Sequence, residues 1–174
     1  MTMLYVCKIC GEPYIGRSEP DDCPFCGAPK TYLRPVEDFS KLWDSELSEQ
    51  EKKDIETVLK LEVNATAYYK DVADKQEKYS KYNRLYKQLT RVEQEHAELA
   101  SKFLGIDLPE LVGEESKGSI EKDLQRTHEL ESHAVELYTE FLGNAENENV
   151  KHFFVALTHA EKGHEEIVGK DLKT

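Results

Sequence analysis

Leu85-Tyr-Lys-Gln-Leu89-Thr-Arg-Val-Glu93-Gln-Glu-His96 is the stretch whose reading decides the fold. Leu85 and Leu89 recur at helical spacing and, with Ala100 and Phe103, predict the inward stripe of a helix from about Lys81 to Leu104, stopped by Gly105. Glu93 follows Leu89 by one turn and His96 follows Glu93 by three residues, so a carboxylate and an imidazole fall on the apolar face. A charge there is costly unless it is paired or binds a metal. The pattern recurs in Glu161-Lys-Gly-His164, where Glu161 follows Leu157 by four residues and Phe154 by seven.

Two further helices each offer one matching carboxylate. Ser48-Glu-Gln-Glu51 is a capping-box pattern opening a helix whose stripe is Ile55, Val58, Leu59, Ala65, Tyr69 and Val72, and Glu62 lies on it. A third helix, from near Ser119 to near Gly143, carries Glu131 on the stripe of Leu124, Thr127, Ala134, Val135, Tyr138 and Phe141. The fourth, capped by Asn147 or Asn149, turns Val150, Phe153, Phe154, Leu157, Ile167 and Val168 inward. Glu62 to Glu93 is 31 residues and Glu131 to Glu161 is 30, so the bundle consists of two related helix pairs, each giving Glu and then ExxH. Residues 105–118, with Pro109, Gly113 and Gly118, form one long connection, able to return along a whole helix. Two short connections and one long crossover predict a mostly α protein with a ferritin-like four-helix bundle. Glu62, Glu93, His96, Glu131, Glu161 and His164 are then the donor set of a two-metal carboxylate site. Tyr69 and Tyr138 either fill the core or hydrogen-bond the ligand carboxylates. His128 is a spare ligand or proton donor, His133 and His152 are placed outside, and His159 is left open.

Composition bounds what this bundle serves. The 174 residues carry a net charge of −12, which disfavours nucleic acid as a partner. No stretch predicts a signal peptide or a membrane span, so the expected location is the cytoplasm, where thiols stay reduced. The chain changes character near residue 38: residues 1–37 hold all four cysteines and five of the six prolines. The expected domains are a metal-binding module at 1–37, a linker at 38–47 and the bundle at 48–174.

Cys7-Lys-Ile-Cys10-Gly11 and Cys23-Pro-Phe-Cys26-Gly27 are two knuckles 12 residues apart. Each CxxC wraps two thiolates around one metal, and the following glycine permits the tight turn. Zinc and iron both suit four sulfurs. With Tyr5, Tyr14, Phe25 and Tyr32 close by, CxxCGxxY followed by CPxCG resembles rubredoxin, and the short separation is similar to the module of rubrerythrins.

A rubredoxin-like module joined to this bundle resembles the rubrerythrin family over nearly the whole chain, and the order, module first, resembles the reverse rubrerythrins. The resemblance implies a mononuclear iron at Cys7, Cys10, Cys23 and Cys26 and two irons in the bundle. There Glu93 and Glu161 bridge, Glu62 and Glu131 are terminal, and His96 and His164 complete the set. It implies a non-haem di-iron peroxidase that reduces hydrogen peroxide to water in oxidative stress defence. Its electrons would come from rubredoxin or an NAD(P)H-dependent reductase. It also implies a homodimer in which one chain's module serves its partner's bundle, since residues 38–47 look too short to fold the module back. One position departs: many rubrerythrins carry a further Glu one turn after Glu131, where this chain has Ala134. A one-residue slip would put His133 there and displace Glu131, but the seven-residue spacing to Tyr138 repeats that of Glu62 and Tyr69 and favours Glu131. The six-donor set is equally similar to bacterioferritin. The alternatives are therefore a ferroxidase or iron-handling protein with a structural zinc site, or a zinc-ribbon adaptor. The ten residues after His164 leave no room for a fifth, cage-forming helix, which weighs against storage.

Overall fold

The computed structural model describes residues 2–36 and 39–173. Glu37 and Asp38, where the expected module ends and the linker begins, lie outside the described residues. The order among the described residues is β1 (Met3–Cys7), β2 (Pro13–Gly16), a 3-10 turn (Lys30–Tyr32), β3 (Leu33–Pro35), α1 (Glu49–Lys75), α2 (Lys81–Leu104), α3 (Ile120–Asn144) and α4 (Glu148–Asp171). No described helix is long and apolar enough to cross a membrane.

The strands form an antiparallel sheet in the order β2-β1-β3, with Tyr5 opposite Tyr14 on one side and Pro35 on the other. Three strands of three to five residues bury little by themselves. The knuckles supply what the sheet lacks. Gly11 and Gly27 adopt φ of 85° and 69°, and their N–H groups donate to the carbonyls of Cys7 and Cys23 at 2.9 and 3.0 Å.

Local chemistry sets each helix end. Ser48 and Glu51 form the reciprocal capping box, and the other Glu51 oxygen accepts from the N–H groups of Glu146 and Asn147, tying the start of α1 to the α3–α4 turn. Ser80, Ser119 and Asn147 cap α2, α3 and α4, and Gly105 ends α2 in the left-handed region at φ 66°. The crossover between α2 and α3 is pinned rather than loose. Gly113 passes so close to Asn64 that a Cβ would lie 2.7 Å from its carbonyl oxygen. Glu114 receives Arg126 through two nitrogens, and Asp123 accepts from Tyr68, Ser116 and Lys117.

The inward stripes are largely as the spacing predicts, with instructive exceptions. Ile167 is 49% exposed. The α4 stripe runs Leu157, Glu161, His164 and Val168, and Val168 takes the buried place one residue further on. Tyr68 and Tyr86, absent from the expected stripes, are fully buried, while Leu85 is half-buried.

Two apolar clusters divide the bundle. One gathers Ile55, Val58, Leu59, Ala97, Tyr138, Phe141, Phe153 and Leu157, the other Tyr69, Val72, Tyr86, Leu89, Leu124 and Val168. On every helix the polar site residues fall between the two, so the site is a belt sealed above and below by apolar packing.

The module does not hang free. Cys7, Ile9, Cys10, Cys23, Cys26, Ala28 and Leu33 belong to the same apolar cluster as α1, α2 and α4. This corrects the expectation that residues 38–47 are too short for the module to return to its own bundle. The module lies over α2 and α4 of its own chain, with Leu42 buried and Trp43 packed beneath Lys102.

Candidate metal centres

Cys7, Cys10, Cys23 and Cys26 are buried and unbridged, and their four sulfurs lie within 4.8 Å of one another. Cys7 to Cys26 is 3.8 Å and Cys10 to Cys23 is 3.9 Å. A tetrahedron with metal–sulfur bonds of about 2.3 Å has edges of about 3.8 Å, so the sulfurs already stand at ligand spacing. Thiols this close cannot titrate independently. Hydrogen bonding with Cys10 holds Cys7 and Cys23 below the usual thiol range, while hydrogen bonding pushes Cys10 and Cys26 above it. A bound cation removes that conflict by favouring all four thiolates.

The bundle brings together all six of its candidate residues. Glu62, Glu93, His96 and Glu161 offer donor atoms within 4.8 Å of one another, and so do Glu93, Glu131, Glu161 and His164. Glu93 and Glu161 belong to both groups, which places them between two metal positions. His133 is exposed, while Glu131 is buried among the donor atoms of the second group, as its spacing to Tyr138 would place it.

His96 Nε2 lies 2.9 Å from the carbonyl oxygen of Cys26. A carbonyl only accepts, so Nε2 carries the proton and Nδ1 is left to face the carboxylates. Nδ1 stands 3.0 Å from both Glu93 and Glu161 without a hydrogen bond of acceptable geometry. Both oxygens of Glu93 and one of Glu161 are likewise buried with no hydrogen-bond partner among the described residues. Buried polar atoms aimed at one point and unsatisfied by one another are what a cation-binding site leaves when the ions are removed from view.

The tyrosines tie the two helix pairs together crosswise. Tyr69 on α1 donates to Glu131 on α3 at 2.5 Å, and Tyr138 on α3 donates to Glu62 on α1. Burial pushes both phenols well above their usual range, so they keep their protons. The seven-residue spacing signalled the pairing, but not that each tyrosine serves the opposite helix. His128 faces Ser132 and Gly169 instead of the metal positions, and His152 and His159 contact Tyr32 and Asp22 of the module.

Family models match residues 5–34 as "Rubrerythrin, rubredoxin-like domain" and residues 54–170 as "Rubrerythrin". The chain belongs to the rubrerythrin family. Among curated relatives, Reverse rubrerythrin-1 of Clostridium acetobutylicum is 31% identical over 143 residues, 76% of this chain and 74% of that protein. No solved structure gives a significant match. As in the family, the four cysteines of this rubrerythrin fit one iron and the carboxylate–histidine belt fits two.

In the metal-free protein the belt is electrically frustrated. Burial, reinforced by Glu161 and Glu93, pushes Glu62 well above the usual carboxylate range, and burial with Glu93 does the same to Glu131. Burial depresses His96 and His164, but the surrounding carboxylates outweigh it and raise both. Glu161 is held low because His96 and His164 overcome the opposing effect of burial. Raised groups stabilise the fold fully below their unfolded pKa values and lose that contribution as pH climbs through the folded ones. Glu161 acts oppositely, and only in acid. The metal-free protein should therefore melt at progressively lower temperature as pH rises above about 6.5, the ordinary histidine pKa. The iron-loaded protein, whose ligands are already deprotonated, should change little over that span. Parallel thermal melts across the pH series check this, and equal slopes would reject it.

Gly27 packs against α4 beside the metal belt. A Cβ there would lie 2.8 Å from Cβ of Ala160, next to Glu161, and φ of 69° is already costly for any other residue. Gly27→Ala should cost about 1–2 kcal/mol from the backbone alone, with the added contact pushing the module off α4. Chemical denaturation of the iron-loaded protein measures it, and an unchanged midpoint would show that the contact is slack.

Proposed function

We propose that this rubrerythrin is a peroxidase that reduces hydrogen peroxide to water at the bundle site, with electrons arriving through the four-cysteine centre. The observation that carries the reading is the hydrogen bond from His96 to the Cys26 carbonyl. One residue that offers a sulfur to the first centre thereby contacts a residue that offers a nitrogen to the second. A purely structural zinc knuckle has no need of such a link.

Reduction of one peroxide takes two electrons and two protons and yields two waters. Bound iron supplies the redox chemistry, one electron per ion at each centre. The chain's own residues do the rest. Glu62, Glu93, Glu131 and Glu161, all buried, would supply negative charge that balances the cations. Tyr69 and Tyr138 hold protons against Glu131 and Glu62 and fix which carboxylate oxygens remain free. His96, oriented by Cys26, keeps Nδ1 aimed inward. The electron donor in this reading is rubredoxin or an NAD(P)H-dependent reductase, and the cytoplasm, with its reduced thiols, is the setting. A homodimer remains part of the proposal, but cis docking of the module means that the electron path does not require one.

Steady-state turnover of iron-loaded protein with hydrogen peroxide and reduced rubredoxin tests the reading. Peroxide-dependent oxidation of the donor is expected, and its absence overturns it. Ala134 favours a second reading, ferrous oxidation, because the chain lacks the additional carboxylate at that position. Oxidation of added ferrous ion by oxygen, without any need for the cysteine centre, would select that reading instead.

A further inference from the structure

The module covers the belt on the α2–α4 side, where Cys26 meets His96 and Gly27 meets Ala160. The opposite side, between α1 and α3, is closed differently. At the level of the metal positions its side chains are small, Ala65 on α1 and Ala134 on α3, with Leu61 and Leu130 flanking them. Leu61, Leu130 and Ala134 are only half-buried. Together they frame a water-accessible cavity of ≈ 20 Å³ that opens outward and ends on the belt carboxylates, Tyr69 and Tyr138.

We propose that this mouth is a size filter, held open by Ala134, that passes hydrogen peroxide and small anions to the bundle site and excludes alkyl hydroperoxides. The proposal rests on the peroxidase reading only for the identity of the natural substrate. A single water needs about 10–15 Å³ of such space, so the cavity holds between one and two water-sized groups. Hydrogen peroxide, with two oxygens, fits that allowance, whereas a tert-butyl group does not. The walls are apolar and the floor polar, so a small polar molecule loses water on entry and regains hydrogen-bond partners only at the belt. Ala134 lies one turn after Glu131 on the same face, so a longer side chain there projects into the cavity.

Azide is the probe, since its binding to oxidised iron is visible by absorption and needs no turnover. With iron-loaded Ala134→Leu, azide association should be at least about tenfold slower than in the parent, with iron content and thermal melt retained. Leu130→Ala should raise turnover of tert-butyl hydroperoxide relative to hydrogen peroxide by about tenfold. Parental azide kinetics in fully loaded Ala134→Leu, or equal turnover of both peroxides by the parent, overturns the filter. If Ala134→Leu fails to take up iron, Leu130→Ala decides alone, and an unchanged peroxide ratio overturns the proposal. If azide entry depends on residue 134 but no peroxide is consumed, the filter stands for small anions and the peroxidase reading falls.

Discussion

Glu161→Ala is expected to lower the iron content from about three to about one per chain, leaving the cysteine-bound iron in place. Glu161 stands in both donor groups of the bundle, so its loss removes an oxygen from each metal position together with the link between them. The remaining groups would share Glu93 alone. The melting behaviour should separate this from simple unfolding. In the metal-free protein Glu161 repels Glu62 but pairs with His96 and His164, so deleting it relieves one contact, loses two others and leaves a cavity, effects that partly offset. The metal-free melt should therefore change modestly, while the stabilisation gained on adding iron disappears. Glu98→Ala, on α2 but outside the donor set, should take up the full complement. Full iron content with an intact dinuclear spectrum in Glu161→Ala would show that Glu161 is no bridge.

The donor belt was legible because its residues break a strong local rule. Glu62, Glu93, Glu131 and Glu161 occupy stripe positions that helical periodicity assigns to apolar side chains, and the two-pair repeat made the violation systematic. Helix ends were legible for a similar reason, since Ser48 with Glu51, and Gly105, act through contacts only a few residues long. Less was legible where the deciding contact is distant in sequence. Nothing in residues 38–47 announces that Gly27 will rest against Ala160 or that Cys26 will accept from His96. Those contacts depend on the spatial fit of the module to a surface made by two helices. The crossed tyrosine bonds belong to the same class: spacing marks Tyr69 and Tyr138 as equivalent, but only the packing of α1 beside α3 chooses their partners. Ile167 shows the limit within a helix, where two adjacent apolar residues compete for one inward position and the stripe through His164 selects Val168.

Removing the metal from the cysteine centre should unfold the module and weaken the bundle site as a consequence. The sheet has strands of five, four and three residues, and the module's buried side chains are the four cysteines with Val6, Ile9, Ala28 and Leu33. Such a core cannot offset the chain entropy of its own ordering. Structural zinc in comparably small zinc-finger modules contributes apparent free energies of about 10–16 kcal/mol, a scale far above what this packing supplies. Cys10→Ser, or selective chelation, is therefore expected to release residues 2–36 to proteolysis while α1 to α4 stay helical. The consequence reaches the belt because the module is part of its wall. Once Cys26 withdraws, His96 loses the acceptor that fixes its tautomer, and the α2–α4 face around Ala97 and Ala160 meets water. Loss of such an orienting partner weakens metal affinity by about 10–100-fold. The iron of the bundle should thus become easier to chelate in Cys10→Ser, although no bundle ligand has changed. Protease resistance of the module together with unaltered release of bundle iron would mean that packing against α2 and α4 holds the module without its metal.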